Sequence, residues 1–216
     1  ILKKYIAKGD ILIHLAATDY YPDFNMKKIN ATDEDYFKNN ILYTKNLFEL
    51  SLQKKVSKII FASSSRVLGM YEKIFEKTIY NIKKNILFDH TSEVCPDSYY
   101  AVTKLFGENI SKYYSLNSDT IFKCIRIGSV RSEKDDNPFA YADYGLAQGL
   151  WKKDSLMYNK QKYRLMGLWQ SRRDFLQLIN KTILSNNKKF EIFFGLSNND
   201  RKWFDLTYTN QSLGYK

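Results

Sequence analysis

"SKIIFASSS", residues 57–65, decides the fold. Ile59, Ile60, Phe61 and Ala62 follow one another with no polar alternation, which suits a strand buried on both faces of a sheet. The run then stops in small hydroxyl residues. Upstream, "DILIHLAA" (10–17) repeats the design in shorter form and reads as another fully buried strand. Between the two, residues 33–55 carry apolar side chains at helical spacing, with Thr32 or Asp33 available as the N-cap. Downstream, Pro96, Asp97 and Ser98 introduce a helix running to about Tyr114, and "IFKCIRIGSV" (121–130) gives a third apolar strand. "SRRDFLQLINKTILS" (171–185) predicts a further helix with Phe175, Leu176, Ile179 and Ile183 on one side, and "KFEIFFGLS" (189–197) predicts a last strand. Strands alternating with helices predict an α/β fold with a parallel sheet. The stretch 131–170 is irregular and rich in aromatics, and reads as a cap.

Composition narrows the classes. The chain has 216 residues, 44% of them apolar, enough for a sizeable core. No apolar run approaches the roughly 20 residues of a membrane span. The opening "ILKKYIAKGD" has neither an initiator Met nor a secretory apolar region, and reads like the middle of a longer protein. The net charge of +11 comes mostly from scattered lysines among many Asn, Ile and Tyr. That pattern suits a compositional bias better than a nucleic-acid patch, which clusters basic residues with aromatics. Cys95 and Cys124 are far apart and read as reduced thiols of a cytoplasmic protein. With only His14 and His90 besides, no metal site is expected.

The chemistry centres on Tyr100 and Lys104, four apart on one helical face. The same spacing recurs at Tyr80/Lys84 and Tyr158/Lys162, but no strand end precedes either, and both pairs read as solvated surface. Parallel sheets bind ligands at the carboxyl ends of their strands. Three such ends carry small residues here: Ala16 and Ala17, Ser63 to Ser65, and Gly128 with Ser129. A phenol of reference pKa about 10 is a poor base, and a neighbouring ammonium favours its ionised form. Such a tyrosine can exchange a proton with a substrate oxygen while hydride passes between carbon and a nicotinamide.

"HLAA", "NILYTKNLFE", "FASSSRVLG", "DSYYAVTKLFGE" and "RIGS" stand in the order seen in extended short-chain dehydrogenases, the NAD-dependent epimerase/dehydratase group, and the chain resembles that family over nearly its whole length. Within the group, "RLMGLW" and "FFGLSNNDRKWFD" look like segments of uronate dehydrogenases. The resemblance implies a Rossmann-like, doubly wound parallel sheet, incomplete on its N-terminal side, with a small irregular substrate cap towards the C-terminus. Its divisions are 1–130 for the dinucleotide-binding core, 131–170 for the substrate-side insertion, and 171–216 for the last core elements plus a cap segment.

The likeness makes Tyr100 the catalytic base, Lys104 its partner and Ser64 the active serine, although three consecutive serines leave the register open. Ala16, Ala17, Asn40, Ser63 and Ile127 match positions lining NAD, with NADP not distinguished. Ser65, Arg66, Ser129 and Arg164 match substrate-side positions. Arg164 is either a carboxylate clamp or a salt bridge, and Arg66 either a ligand contact or a loop charge. The expected activity is NAD-dependent oxidation of a sugar or sugar acid. A nucleotide-sugar epimerase or dehydratase with the same residues is the alternative, and a truncated, non-catalytic binding protein a second. A cytoplasmic homodimer joined through residues 33–54 and 97–117 is also implied. The chain departs from the family in three ways. No "GxxGxxG" turn occurs among its nine glycines, as if the first quarter of the domain were missing. Uronate dehydrogenases carry Asn and His where Ser65 and Arg66 stand, and a small polar residue near Asp19. The loop after "HLAA", which includes Asp19 and runs through Asn25, and the segment before "RLMGLW" are both enlarged.

Overall fold

The computed structural model describes residues 2–18, 31–80 and 86–216. The enlarged loop through Asn25, and Lys84 of the second Tyr/Lys pair, lie outside the described residues. Four strands, β1 (Ile11–His14), β2 (Lys58–Ser64), β3 (Ile121–Ile127) and β4 (Phe190–Gly195), form one parallel sheet in that order. β1 runs alongside β2 with Ile13 opposite Ile60 and His14 opposite Phe61. All seven residues of β2 are buried, as an apolar run without alternation requires. β1 does not meet the expectation of full burial: Ile11 and Ile13 are 41% and 37% exposed. β1 stands at the edge of the described sheet, with β2 as its one strand neighbour there, so its apolar side chains are covered incompletely.

The predicted helix after β1 is three segments in series: α1 (Asp33–Tyr36), a six-residue π-helical stretch (Phe37–Leu42) and α2 (Tyr43–Gln53). Thr32 is its N-cap. The Thr32 hydroxyl accepts from the Asp35 amide, and the Asp35 carboxylate accepts from the Thr32 amide at 2.8 Å, a reciprocal capping box. A short 3₁₀ turn (Ser65–Leu68) and α3 (Met70–Ile74) follow β2. α4 (Tyr99–Leu116) is capped by Ser98, whose hydroxyl accepts from Ala101 N–H at 3.3 Å.

The chain packs as two compact units. The first comprises 1–70, 94–126 and 183–192. Its core gathers Phe48, Val56, Ile59, Phe61, Phe122 and Cys124, with Phe48 edge-on to both Phe61 and Phe122. The second comprises 71–93, 127–182 and 193–216. It contains α5 (Ala140–Ala147), α6 (Leu156–Leu168), most of α7 (Arg172–Leu184) and α8 (Thr207–Leu213). Phe193, Phe194, Trp203 and Phe204 are buried there, and the rings of Phe194 and Phe204 stack at 4.6 Å. The inward face of α7 is rotated from the predicted stripe: Asp174, Leu178 and Thr182 are buried while Leu176 is 61% exposed. The cause is polar. Asp174 accepts from the Ser197 hydroxyl at 2.5 Å, which turns a carboxylate inward and carries Leu176 to the outside.

Candidate functional site

The first unit holds Ala16, Ala17, Asn40, Ser63, Ser64, Ser65, Arg66, Tyr100 and Lys104. Tyr100, the second residue of α4, is half-buried, whereas Lys104, one turn on, is 3% exposed. The Lys104 ammonium lies 5.5 Å from the centre of the Tyr100 ring and donates to the carbonyl of Ala62 at 2.8 Å. That bond places it against the end of β2, two residues before Ser64. Tyr99 turns away: it is 40% exposed and meets Tyr36 edge-on. The helical-face criterion therefore separates the two adjacent tyrosines by position, with Tyr100 on the side of Lys104 and Tyr99 on the side of Tyr36.

Each serine of the triplet has a different task. Ser63 donates to Glu108 at 2.6 Å. Ser64 caps the following 3₁₀ turn, its oxygen accepting from Arg66 N–H at 3.2 Å while the buried hydroxyl keeps its own proton to donate. Ser65 is buried as the first residue of that turn. Arg66 pairs through Nε with Asp97 at 3.1 Å. Asp97 also accepts from Ser98 at 2.9 Å, so the serine turn and the start of α4 share one carboxylate.

Ala16 and Ala17 are exposed just beyond β1. Asn40, buried in the π-helical stretch, accepts from Thr18 N–H at 2.7 Å and donates to Thr18 C=O at 2.8 Å and to Thr103 at 3.2 Å. It ties the chain after β1 to α4 at the residue preceding Lys104. His14 closes this floor, bonded to Thr44 at 2.9 Å and packed on Phe48 and Phe61. Burial first, and then the charge of Lys104, lowers its pKa to about 4. At neutral pH it is an uncharged packing residue.

Three of the proposed residues belong to the second unit. Ile127 ends β3 half-buried. Ser129 bridges to Trp169, its N–H donating to Leu168 C=O at 2.7 Å. Arg164 on α6 is held through Nε by Glu72 at 2.6 Å, so a carboxylate of the chain already occupies part of its fork. Glu72 accepts from Tyr80 as well, at 2.5 Å. Tyr80 is thus not a solvated residue, and neither is Tyr158, which is 7% exposed and donates to Asp143 at 2.9 Å. Both phenols bury their rings and keep a carboxylate for the hydroxyl, a pattern that spacing alone does not reveal.

Sequence reasoning missed Glu108, Arg126, Asp97 and Glu72. Glu108 left a signal, since it follows Lys104 by the same four residues that separate Lys104 from Tyr100. The others left none, because their partners lie far along the chain. Among the described residues no group of His, Cys, Asp and Glu is arranged to hold a metal, and no helix is long and apolar enough to cross a membrane.

The family model described as "NAD dependent epimerase/dehydratase family" matches residues 1–177. An NAD-dependent glucose-6-phosphate dehydrogenase of Haloferax volcanii is 27% identical over 206 residues, covering 94% of this chain and 66% of that protein. A uronate dehydrogenase of Pseudomonas syringae pv. tomato is 25% identical over 178 residues, 82% of this chain and 51% of the relative. The chain therefore spans between about half and two thirds of the length of these curated relatives. The crystal structure of uronate dehydrogenase from Agrobacterium tumefaciens superimposes with a TM-score of 0.70 at 22% identity, covering 100% of this chain and 63% of the other. UDP-glucuronic acid 4-epimerase from Bacillus cereus, in complex with NAD, gives 0.65 at 19% identity, covering 100% and 72%.

Proposed function

Because this chain belongs to the NAD-dependent epimerase/dehydratase family, we propose that it carries the hydride-transfer centre of an NAD-dependent dehydrogenase acting on a sugar or sugar acid. The observation that carries the proposal is the buried Lys104 ammonium, fixed to the end of β2 and set 5.5 Å from the Tyr100 ring. A cation so placed favours the phenolate, as a base for a sugar hydroxyl needs. Ser64, with its oxygen engaged by Arg66 N–H, donates to the same substrate oxygen and orients it.

The residues present fit the nicotinamide and its ribose. Ala16 and Ala17 leave the end of β1 open, Lys104 offers its ammonium to ribose hydroxyls, and Ile127 ends β3, while Ser63, one residue before the end of β2, lies beneath the site with its hydroxyl on Glu108. Bound NAD would supply the hydride acceptor for the substrate carbon. Tyr100 takes the hydroxyl proton, and Lys104 stabilises the charge on the phenol oxygen before that transfer. We assign Ser65, Arg66, Ser129 and Arg164 to the substrate side, with 131–170 as its cap. The relatives that act on glucose 6-phosphate and on uronates support a substrate with an anionic group, while a 26% identical L-arabinose 1-dehydrogenase of Haloferax volcanii makes a neutral sugar the competing class. The guanidinium groups of Arg66 and Arg164, each tied by one nitrogen, suit the anionic class.

Release of NADH from NAD with free sugar acids or sugar phosphates tests the proposal. Release confirms a dehydrogenase. Conversion of a nucleotide sugar with no net NADH would instead make it an epimerase or dehydratase, and no NAD binding at all would leave a binding protein. We place the protein in the cytoplasm, where the free thiols of Cys95 and Cys124 persist. We also place it in a homodimer. The exposed Tyr43 of α2 and the exposed Val102 and Tyr113 of α4 support that assembly, which sedimentation would detect.

A further inference from the structure

Tyr100, Lys104 and Glu108 recur every fourth residue along α4, and the last two grip consecutive residues of β2. Lys104 holds the carbonyl of Ala62 at 2.8 Å, and Glu108 holds the hydroxyl of Ser63 at 2.6 Å. Arg126, from β3, closes the other side of Glu108 with two bonds of 2.9 Å. Ser63, Lys104, Glu108 and Arg126 are each 3% exposed or less. A buried ion pair gains little net stability, because desolvating both charges offsets most of their attraction. What a bidentate guanidinium–carboxylate pair does supply is a fixed orientation for everything bonded to it. Here Ser63 is bonded to it, and Ser63 is covalently followed by Ser64.

We propose that Glu108 and Arg126 are positioning residues that, through Ser63, hold Ser64 in register with Tyr100 and Lys104, and whose balanced charges set the field felt by the Tyr100 phenol. The inference rests on Ser64, Tyr100 and Lys104 being the reacting set. It gives the Ser63 hydroxyl a role inside the protein rather than on the cofactor. The charged and titratable groups around this face include Lys104 and Glu108 from α4, Arg126 and Cys124 from β3, the Arg66–Asp97 pair from the adjoining loops, and His14 from β1; burial, and then the charge of Glu108, pushes the Cys124 thiol up, so it stays protonated. His14 is uncharged above about pH 4. Changing Glu108 or Arg126 singly therefore leaves one uncompensated buried charge at the Glu108 position of α4, two helical turns along from Tyr100.

The test is a pH titration of the full chain, isotope-labelled at the tyrosine Cζ, with the Tyr100 resonance identified by its loss in Tyr100→Phe. Glu108→Gln leaves Arg126 unbalanced and should move the Tyr100 midpoint down by about half a pH unit. Arg126→Met leaves Glu108 unbalanced and should move it up by a similar amount. The double variant should return it close to the wild-type value. Folded single variants with an unmoved midpoint, or a double variant that fails to restore it, would overturn the proposal. If a single variant does not fold, Ser63→Ala decides. The Arg66 amide, which donates to Ser64, should then exchange with solvent about tenfold faster. Unchanged exchange would overturn the link to Ser64. None of these readouts needs turnover, so absence of NADH release with shifted midpoints would sink the proposed activity and leave the positioning network standing.

Discussion

At the scale of single residues, Tyr100 is distinguished from Tyr99 by one property, a shared face with Lys104, and that property was legible in a spacing of four. Removing the phenol oxygen in Tyr100→Phe should lower the rate of hydride transfer about 10²–10⁴-fold. NAD binding, measured by titration, should persist, and an unaffected rate would exclude Tyr100 as the base. His14 gives a second prediction. Its folded pKa of about 4 lies below its ordinary 6.5, so the native state disfavours the protonated ring. The stability associated with the neutral ring is complete above the ordinary value and is lost as the pH falls towards the folded one. Between pH 7 and pH 5 the wild type should lose about 2 kcal/mol more than His14→Gln, measured by urea unfolding at each pH. Equal losses in the two proteins would mean that the ring is not held neutral.

At the scale of elements, helix existence was written in the apolar period, but the contacts each helix makes were not. α4 approaches β2 at Gly107, where an added Cβ would stand 2.2 Å from the Phe61 ring. Gly107→Ala should push the helix off the strand and cost about 1–3 kcal/mol, seen as a lower denaturant midpoint at unchanged slope. The same displacement would move Lys104 away from Ala62, so activity should fall with stability. The π-helical stretch that carries Asn40 shows the limit of periodicity. A wide turn shifts the register of everything after it, while the apolar count across the whole segment stays helical. α7 shows the same limit. Its buried face was settled by the bond between Asp174 and Ser197, and no hydrophobic pattern reports where a carboxylate finds a donor.

At the scale of the molecule, part of the chain's large lysine content lies in its interior. Lys123 is buried against Glu191 and donates to Lys188 C=O at 2.9 Å, while Lys58 caps the end of α7 through the carbonyls of Ile183 and Ser185. Burial, followed by the charge of Lys123, lowers the pKa of Lys58. Glu191→Gln removes the buried carboxylate beside Lys123 and should destabilise the protein by about 3–5 kcal/mol. Chemical denaturation at neutral pH measures it, and a loss below about 1 kcal/mol would mean that water reaches these charges. From the sequence the positive charge reads only as compositional bias, since nothing local distinguishes Lys58 and Lys123 from surface lysines.

The sequence by itself determined the alternation of strands and helices, the full burial of β2, a helix start at Thr32 or Asp33, and the shared helical face of Tyr100 and Lys104. These depend on neighbours within a turn or a strand, so spacing and side-chain type suffice. Tertiary structure alone decided that Ser63 faces Glu108, that Arg66 meets Asp97 and that Arg164 meets Glu72, partners 45, 31 and 92 residues apart. It also decided that α7 turns Asp174 inward. A charged side chain takes whichever opposite charge or donor the fold brings within about 3 Å, and that proximity belongs to the packed chain rather than to any local run of residues.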